Sequence, residues 1–355
     1  MSAGASYAAS ELVDFAHRLL VAAGMPHDKA TAVSEILVEG DLMGHDTHGL
    51  ALLDPYVRAV EAGVMNVKGD PEVIADSPAA VTWDGRRLPG PWLLLKAMDL
   101  AAERAAQFGT GTVVIRRSHH IASLASFLKR ATDRGLVMLL TCSDPNAASV
   151  APFGGLDAVF TPNPVAAGFP TTGTPVLMDI STSSTTNGLT TRLYKEGGLL
   201  PAPWVIDGNG NPTNNPGALF TEPKGTILPL GGLDSGHKGY GLTLLVEALT
   251  GGLAGHGRAD PKEGWGATVF LQILDPRAFA GIEEFTRQTG EVTRLCRASR
   301  PSKPGAKVRT PGERGLERAA HQRESGVVLH ASIMPMLEPH AARLGVAMPA
   351  RAGGP

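Results

Sequence analysis

Apolar residues recur at helical spacing from the start of the chain. Leu12, Phe15, Leu19 and Val21 fall on one face, which predicts a helix over residues 10–23 with Ser10 as its N-cap. A second helix is expected over 28–42, with Gly24 and Pro26 punctuating the break between the two. It should deliver the segment GHDTHG, residues 44–49, to the surface. LLLKAMDLAAERAAQF predicts a third helix over 92–107, stopped by Gly109, and helical spacing returns over 120–133 before Gly135. The pattern changes at 112–117, where TVVIRR has the β-branched run of a buried strand. Residues 137–142, 176–180 and 267–274 are further strand candidates. Strands alternating with helices predict a mixed α/β core. From about residue 295 Arg, Lys, Pro and Gly accumulate, which predicts a solvated connector, then a last helix over 318–343 and a loose tail over 347–355.

Composition narrows this picture only a little. A chain of 355 residues with 43% hydrophobic content can bury a large core and is expected to form two domains. Its net charge of −2 offers no electrostatic reason to bind nucleic acid. Cys142 and Cys296 stand far apart and outside any CxxC spacing, so neither a disulfide framework nor a zinc site is expected. The first 24 residues lack the positive start and continuous apolar run of a secretion signal, and no stretch has the length of a membrane span. The expected location is the cytoplasm.

The candidate chemistry lies in two histidine segments. His45 and His48 in DLMGHDTHGL, and His120 at the end of RRSHH, sit among Gly, Ser and Thr in turn-like settings. A histidine in such a place can exchange a proton near neutral pH. His45 and His48 also have HxxH spacing, but no third ligand lies nearby in the chain and no metal is expected. No strand runs into G-x-G-x-x-G, so a Rossmann domain is not predicted; GTGT at 109–112 lacks the third glycine and the following helix. Gly231, Gly232, Gly236, Gly239 and Gly241 leave the backbone bare before a helix that carries Leu242, Leu245 and Leu249 on one face. Such a segment suits a phosphate, with Lys238 adding a charge; taken alone it better suits a tight structural turn with a surface lysine.

These segments resemble, in order, the motifs of the type-2 malate/L-lactate dehydrogenase family, which also holds ureidoglycolate and sulfolactate dehydrogenases, diketogulonate reductase and piperideine-carboxylate reductases. Gly44 to Leu50 resembles G-H-x-S-H-G-V, and RSHHIASLASF resembles the S-x-H-F-G segment through Ser118 and His120. NPVAAGFPTTGTPVLMDISTS resembles N-P-x-A-x-x-x-P…P-x-x-x-D-x-A-T-S through Asn163, Pro164, Pro170, Pro175 and Asp179. LPLGGLDSGHKGYGLTLLVEALTGGLAG is similar to G-G-x-K-G-Y-G-L-x-L-x-V-E-x-L, and VRTPGERG, residues 308–315, to V-R-x-P-G-E-R. The resemblance implies a non-Rossmann α/β fold with a mixed sheet and an N-terminal helical region. It further implies a homodimer that uses NAD or NADP on a small 2-hydroxy acid/2-oxo acid pair.

By the same resemblance His48 is the proton donor, with Thr47 in place of the usual serine, and His120 is its rival for that role. Ser143, Met178, Asp179, Ile180, His237, Lys238, Gly239, Arg309, Gly312 and Glu313 are the implied cofactor contacts. The implied domains are 1–118 with 292–355 for substrate and dimerisation, and 119–291 for the cofactor. Three departures bear on the substrate. The family's arginine four residues after the motif histidine is Leu52 here, which leaves Arg58 as the candidate substrate cation. Leu189 follows Gly188 where Lys or Asp is usual, and G-T-N-P reads Thr161, Pro162, Asn163, Pro164. They suggest an unusual substrate, less dependent on an arginine clamp. Two alternatives stay open: a reductase of cyclic 2-imino acids, and a family member that binds a nucleotide or metabolite without turnover.

Overall fold

A computed structural model describes residues 6–352. In chain order its elements are β1 (Ser6–Tyr7), α1 (Ala9–Ala22), α2 (His27–Met43), α3 (Leu53–Glu61), β2 (Glu72–Ser77), β3 (Ala80–Asp84), α4 (Gly90–Phe108) and β4 (Thr110–Ser118). There follow α5 (Ala125–Thr132), β5 (Val137–Ser143), β6 (Val165–Phe169), β7 (Val176–Ile180), α6 (Asn187–Glu196), β8 (Val205–Ile206), β9 (Pro212–Thr213) and β10 (Thr226–Ile227). The chain closes with α7 (Gly232–Glu247), β11 (Ala267–Leu274), α8 (Ile282–Ala298), α9 (Glu313–Ser325), β12 (Val327–Val328) and α10 (Ile333–Leu344).

The main sheet has seven strands in the order β2-β3-β4-β11-β5-β6-β7. β3 and β4 are parallel and joined through α4, as a parallel pair needs a crossover; the other neighbours are antiparallel. The result is the expected mixed α/β sheet of non-Rossmann type. Alternation sorts the central strands. Val113 and Ile115 on β4, with Val269, Leu271 and Ile273 on β11, enter the main core on the side of α4, while Val114 and Phe270 turn to the other face against Ala254. α2 is buried on nearly every side, packed by α1, α4, α5 and α9, which fixes where its C-terminal end emerges. β8, β9 and β10 form a small sheet with its own apolar cluster of Val150, Phe160, Leu200, Val205 and Ile227. Among the described residues no helix is long and apolar enough to cross a membrane.

The strands expected at 112–117, 137–142, 176–180 and 267–274 and the helices expected at 10–23, 28–42 and 92–107 are all present within two residues at each end. Several boundaries are corrected. The N-cap of α1 is Ala8, with no side-chain cap, and Ser10 lies inside the first turn. The helix expected from 120 begins only at Ala125, because Ala122 adopts φ +60° and the Tyr56 hydroxyl donates to the His120 carbonyl. The last helix is two: Gly326 at φ +92° ends α9, and Val327 and Val328 pair with β1 before α10 begins. α8 continues to Ala298, so the exposed connector starts at Ser299. The tail is tied down as far as Ala352, whose N–H donates to the Ser6 carbonyl at 2.8 Å; residues 353–355 lie outside the described part.

Candidate active site

A cavity of about 870 Å³ opens between the end of α2, the segment after β4, the ends of β5 and β7, α6, and residues 330–336. The GHDTHG turn forms one wall of it rather than open surface. Gly44 ends α2 in the left-handed conformation, with its N–H on the Asp41 carbonyl and that of His45 on Gly40. The Asp41 carboxyl then turns back to accept the Leu50 N–H at 2.7 Å. Gly49 crosses so close to this carboxyl that a Cβ would lie 2.3–2.4 Å from its atoms. Burial pushes the Asp41 pKa up to about 8. Gln322 on α9, itself buried, donates to the Asp41 and Leu42 carbonyls at 3.1 and 2.9 Å and so caps α2 from the far end of the chain.

Held this way, His48 lines the cavity with Nδ1 2.9 Å from Thr47 Oγ1. Its ring stacks with that of His120, centroids 6.0 Å apart. His120 is fixed by Tyr56, whose hydroxyl lies 2.9 Å from Nδ1, and by Trp265, stacked at 4.6 Å. The Ala122 N–H also donates to His120 Nδ1 at 3.3 Å. Desolvation holds both imidazoles below the usual histidine range, His120 well below it; Asp179 pulls His48 partly back up. The two rings are therefore neutral near pH 7 and able to accept a proton.

The sheet side of the cavity carries the polar groups. Asp179 accepts the Ala125 N–H at 2.8 Å, where α5 begins, and Ser181 lies beside it. Asn163, at φ +41°, donates to Glu247 Oε1 at 2.7 Å and accepts from Thr161 Oγ1. Glu247 also accepts from Ser143 and Arg258, which makes it the anchor of this wall. Ser123 reaches the cavity with a buried hydroxyl that has no partner in the protein. A buried donor left open beside Asn163 and Asp179 fits a polar ligand rather than an apolar one. The volume lies high in the range of roughly 300–1,000 Å³ found for small-molecule sites, room for a nicotinamide beside a small acid. Among the described residues no group of three or more His, Cys, Asp or Glu is arranged to hold a metal.

Of the residues singled out in the sequence, Thr47, His48, His120 and Asp179 meet at this cavity. His45, Asn163 and Gly188 line it too, but the remaining cofactor candidates lie elsewhere. Ser143 is buried behind the wall on Glu247, and Met178 and Ile180 flank Asp179 on β7 without lining the cavity. The glycines from 232 to 241 are not a bare loop before a helix but its first turns. Gly239 is glycine because a Cβ would stand 2.5 Å from the Leu230 backbone, and Lys238 and His237 face outward beside it. Arg309 pairs with Glu317, Gly312 caps α9 against Leu177, and Glu313 binds Arg297 and Lys307. Arg58 does not reach the cavity: it pairs with Asp54 and its side chain is 68% exposed. Leu52 does line it.

Sequence reading missed Tyr56, Glu247 and Trp265 as supports of the site, and Arg192 and Lys195 as its cations; it marks Asn163 as a motif residue but not its bond to Glu247. Tyr56 and His120 are 64 positions apart and Asn163 and Glu247 are 84 apart, so no local spacing marks them. Glu247 stands inside the segment VEALTGG, where it reads as an ordinary helix residue.

A sequence profile described as malate/L-lactate dehydrogenase matches residues 7–338. The malate dehydrogenase of Pyrococcus abyssi is 30% identical over 345 residues, covering 95% of this chain and 94% of its own. The L-lactate dehydrogenase of Cupriavidus necator is 32% identical over 341 residues, 94% of this chain and 96% of its own. Among solved structures, the malate dehydrogenase of Pyrococcus horikoshii superposes with a TM-score of 0.88 at 27% identity, over 98% of this chain and 97% of that one.

Proposed function

Because the chain belongs to the malate/L-lactate dehydrogenase family and is an oxidoreductase acting on CH–OH groups, we propose that it interconverts a small 2-hydroxy acid and its 2-oxo acid with NAD or NADP in this cavity. The observation that carries the reading is the pair of neutral imidazoles, His48 and His120, stacked at 6.0 Å in one wall of the cavity with polar groups on the other. The nicotinamide, when bound, supplies or takes the hydride; Asn163, Asp179, Ser181 and Ser123 would hold it.

In the oxidising direction His48 takes the hydroxyl proton as the hydride leaves carbon, a step its lowered proton affinity keeps open at neutral pH. In the reducing direction the same ring, protonated and steadied by Asp179, returns that proton to the carbonyl oxygen. Thr47 orients His48 through Nδ1, which leaves Nε2 as the nitrogen that moves the proton. His120, held at Nδ1 by the Tyr56 hydroxyl and the Ala122 N–H, presents Nε2 toward the same oxygen. Trp265 and Leu52 keep that region apolar and exclude water.

A homodimer is part of the proposal. Leu233, Leu244, Leu245 and Leu253 are each between 46% and 56% exposed on and just after α7, an apolar face without a partner in the monomer. The reading is tested by titrating NADH and NADPH by fluorescence, followed by a turnover screen of 2-oxo acids. Saturable binding of one nucleotide and reduction of at least one acid are expected; binding of neither overturns the cofactor, and turnover of no acid overturns the substrate class.

A further inference from the structure

The hydroxy-acid reading requires a cation for the substrate carboxylate, and the following inference rests on that reading. A carboxylate brought into a partly dry cavity without a partner is strongly disfavoured. The two cations that sequence position would nominate do not serve: position 52 is leucine, and Arg58 is turned to solvent on Asp54. α6 supplies another. Its residues Gly188, Thr191, Arg192 and Lys195 recur at helical spacing along the cavity side, anchored where Gly188 packs against Thr47. Arg192 is about three-quarters buried, and its Nη1 lies 3.2 Å from Asp46 Oδ2. Asp46 stands two residues before His48 in the same turn, and its side chain is 38% exposed.

We propose that Arg192 is the substrate-positioning cation of this enzyme, and that Asp46 occupies on it the place that a 2-oxo acid's carboxylate takes on binding. A guanidinium binds a carboxylate through two parallel hydrogen bonds, so one carboxylate can replace another with little change in the charge it sees. Asp46 keeps Arg192 paired in the empty enzyme and has solvent to turn into when displaced. A neutral substrate cannot make this exchange and leaves the pair closed. Selection for an acid thus rests on α6 and not on the position filled by Leu52. Lys195, one turn along and exposed, is a flexible point charge without a fixed partner and contributes less.

The test compares a panel of 2-oxo acids, pyruvate and oxaloacetate included, with methyl pyruvate as the neutral probe. Arg192→Ala should raise KM for the acids on the order of 10- to 100-fold, the loss expected of a charge-assisted pair. The ratio of kcat/KM for acid over ester should fall by the same factor, and Leu52→Arg in that background should recover part of it. Asp46→Asn should lower KM for the acids several-fold, since the competitor is gone; a merely structural pair would move it the other way. An acid-to-ester ratio within about two-fold of wild type in Arg192→Ala, or a higher KM in Asp46→Asn, overturns the assignment while leaving the hydroxy-acid reading intact. A wild-type enzyme that reduces none of the acids overturns both.

Discussion

The wall that carries His48 and His120 is tied at each step to buried groups, whereas the wall formed by α6 turns half-exposed charges toward the cavity. On the first, Asp41, Gln322 and Tyr56 are buried, and each makes a hydrogen bond that fixes the backbone or ring beside a histidine. On the second, the helix itself packs through Leu193 on the small sheet's apolar cluster and through Tyr194 stacked on Phe220, while the cavity-facing Arg192 and Lys195 reach partners or solvent through half-open positions. Rigid support suits a proton transfer that must occur at one distance. Half-exposed side chains on a packed helix suit recognition, where they can change without disturbing the chemistry. One fold can therefore retain its reaction and alter its substrate by changing α6 alone.

The largest expected effect breaks the first wall at its chemistry. His48→Ala should lower turnover by about 10²–10⁴-fold while NADH or NADPH affinity stays nearly intact, as loss of general acid–base help does. His120→Ala tested beside it sorts the roles. If only that variant loses turnover the assignment is reversed, and if neither does the histidine mechanism fails.

Next in size are the glycines that bring each wall to its neighbour. Gly49→Ala sets a Cβ against the buried Asp41 carboxyl at 2.3–2.4 Å and should cost about 1–3 kcal/mol of stability by overpacking. Gly188→Ala would meet Thr47 Cβ at the wider distance of 3.1 Å, and should cost less than about 1 kcal/mol. Urea midpoints of the two variants decide it; equal losses would show that the approach at Gly188 is as tight as that at Gly49.

A smaller effect concerns cofactor phosphate, which we expect near the outward face of α7. That helix abuts the end of β7 through the Thr243 and Thr182 hydroxyls, 2.8 Å apart. Lys238→Ala should weaken NADH and NADPH alike by roughly ten-fold, the loss of one charge-assisted contact. Unaltered fluorescence titrations would remove Lys238 from the cofactor site.

The smallest effect is a slope with pH. Asp41 has a folded-state pKa of about 8 against an ordinary 3.8, so the stability of its neutral form is complete at low pH and is lost as pH rises through about 8. His119, buried and held down to about 3 from 6.5, acts in the opposite sense, and its contribution fades as pH falls below about 6.5. Asp41→Asn should flatten that loss, read as the urea midpoint between pH 5 and 8. An unchanged slope would mean that the carboxyl is already ionised in the fold.

The same contrast explains what the sequence disclosed. Strands such as 176–180 and 267–274 and the helix of 90–108 are local matters of period and chain-stopping glycine, and they can be read directly. GHDTHG and RSHH carry their chemistry in adjacent residues and are legible as motifs. The helix expected over 120–133 failed at its start because Tyr56, from another element, claims the His120 backbone. The glycines of 231–241 were legible as close approach but not as to what approaches: Leu230 and Phe153 pack on Gly239 and Gly236, inside a helix. Arg192 was invisible because NGLTTRLYKE looks like any polar helix until Asp46 is brought beside it.

The bond from Gln322 to the end of α2 also has a consequence for how the protein is made. The carbonyls it satisfies belong to residues 280 and 281 positions earlier in the chain. During synthesis the histidine turn therefore leaves the ribosome long before its cap exists, and the reactive geometry is assembled only when nearly all of the chain has emerged. A nascent product that ends before α9 retains both histidines and still lacks the cap on the helix that delivers His48. The end of α2 is thus finished only once α9 has been made.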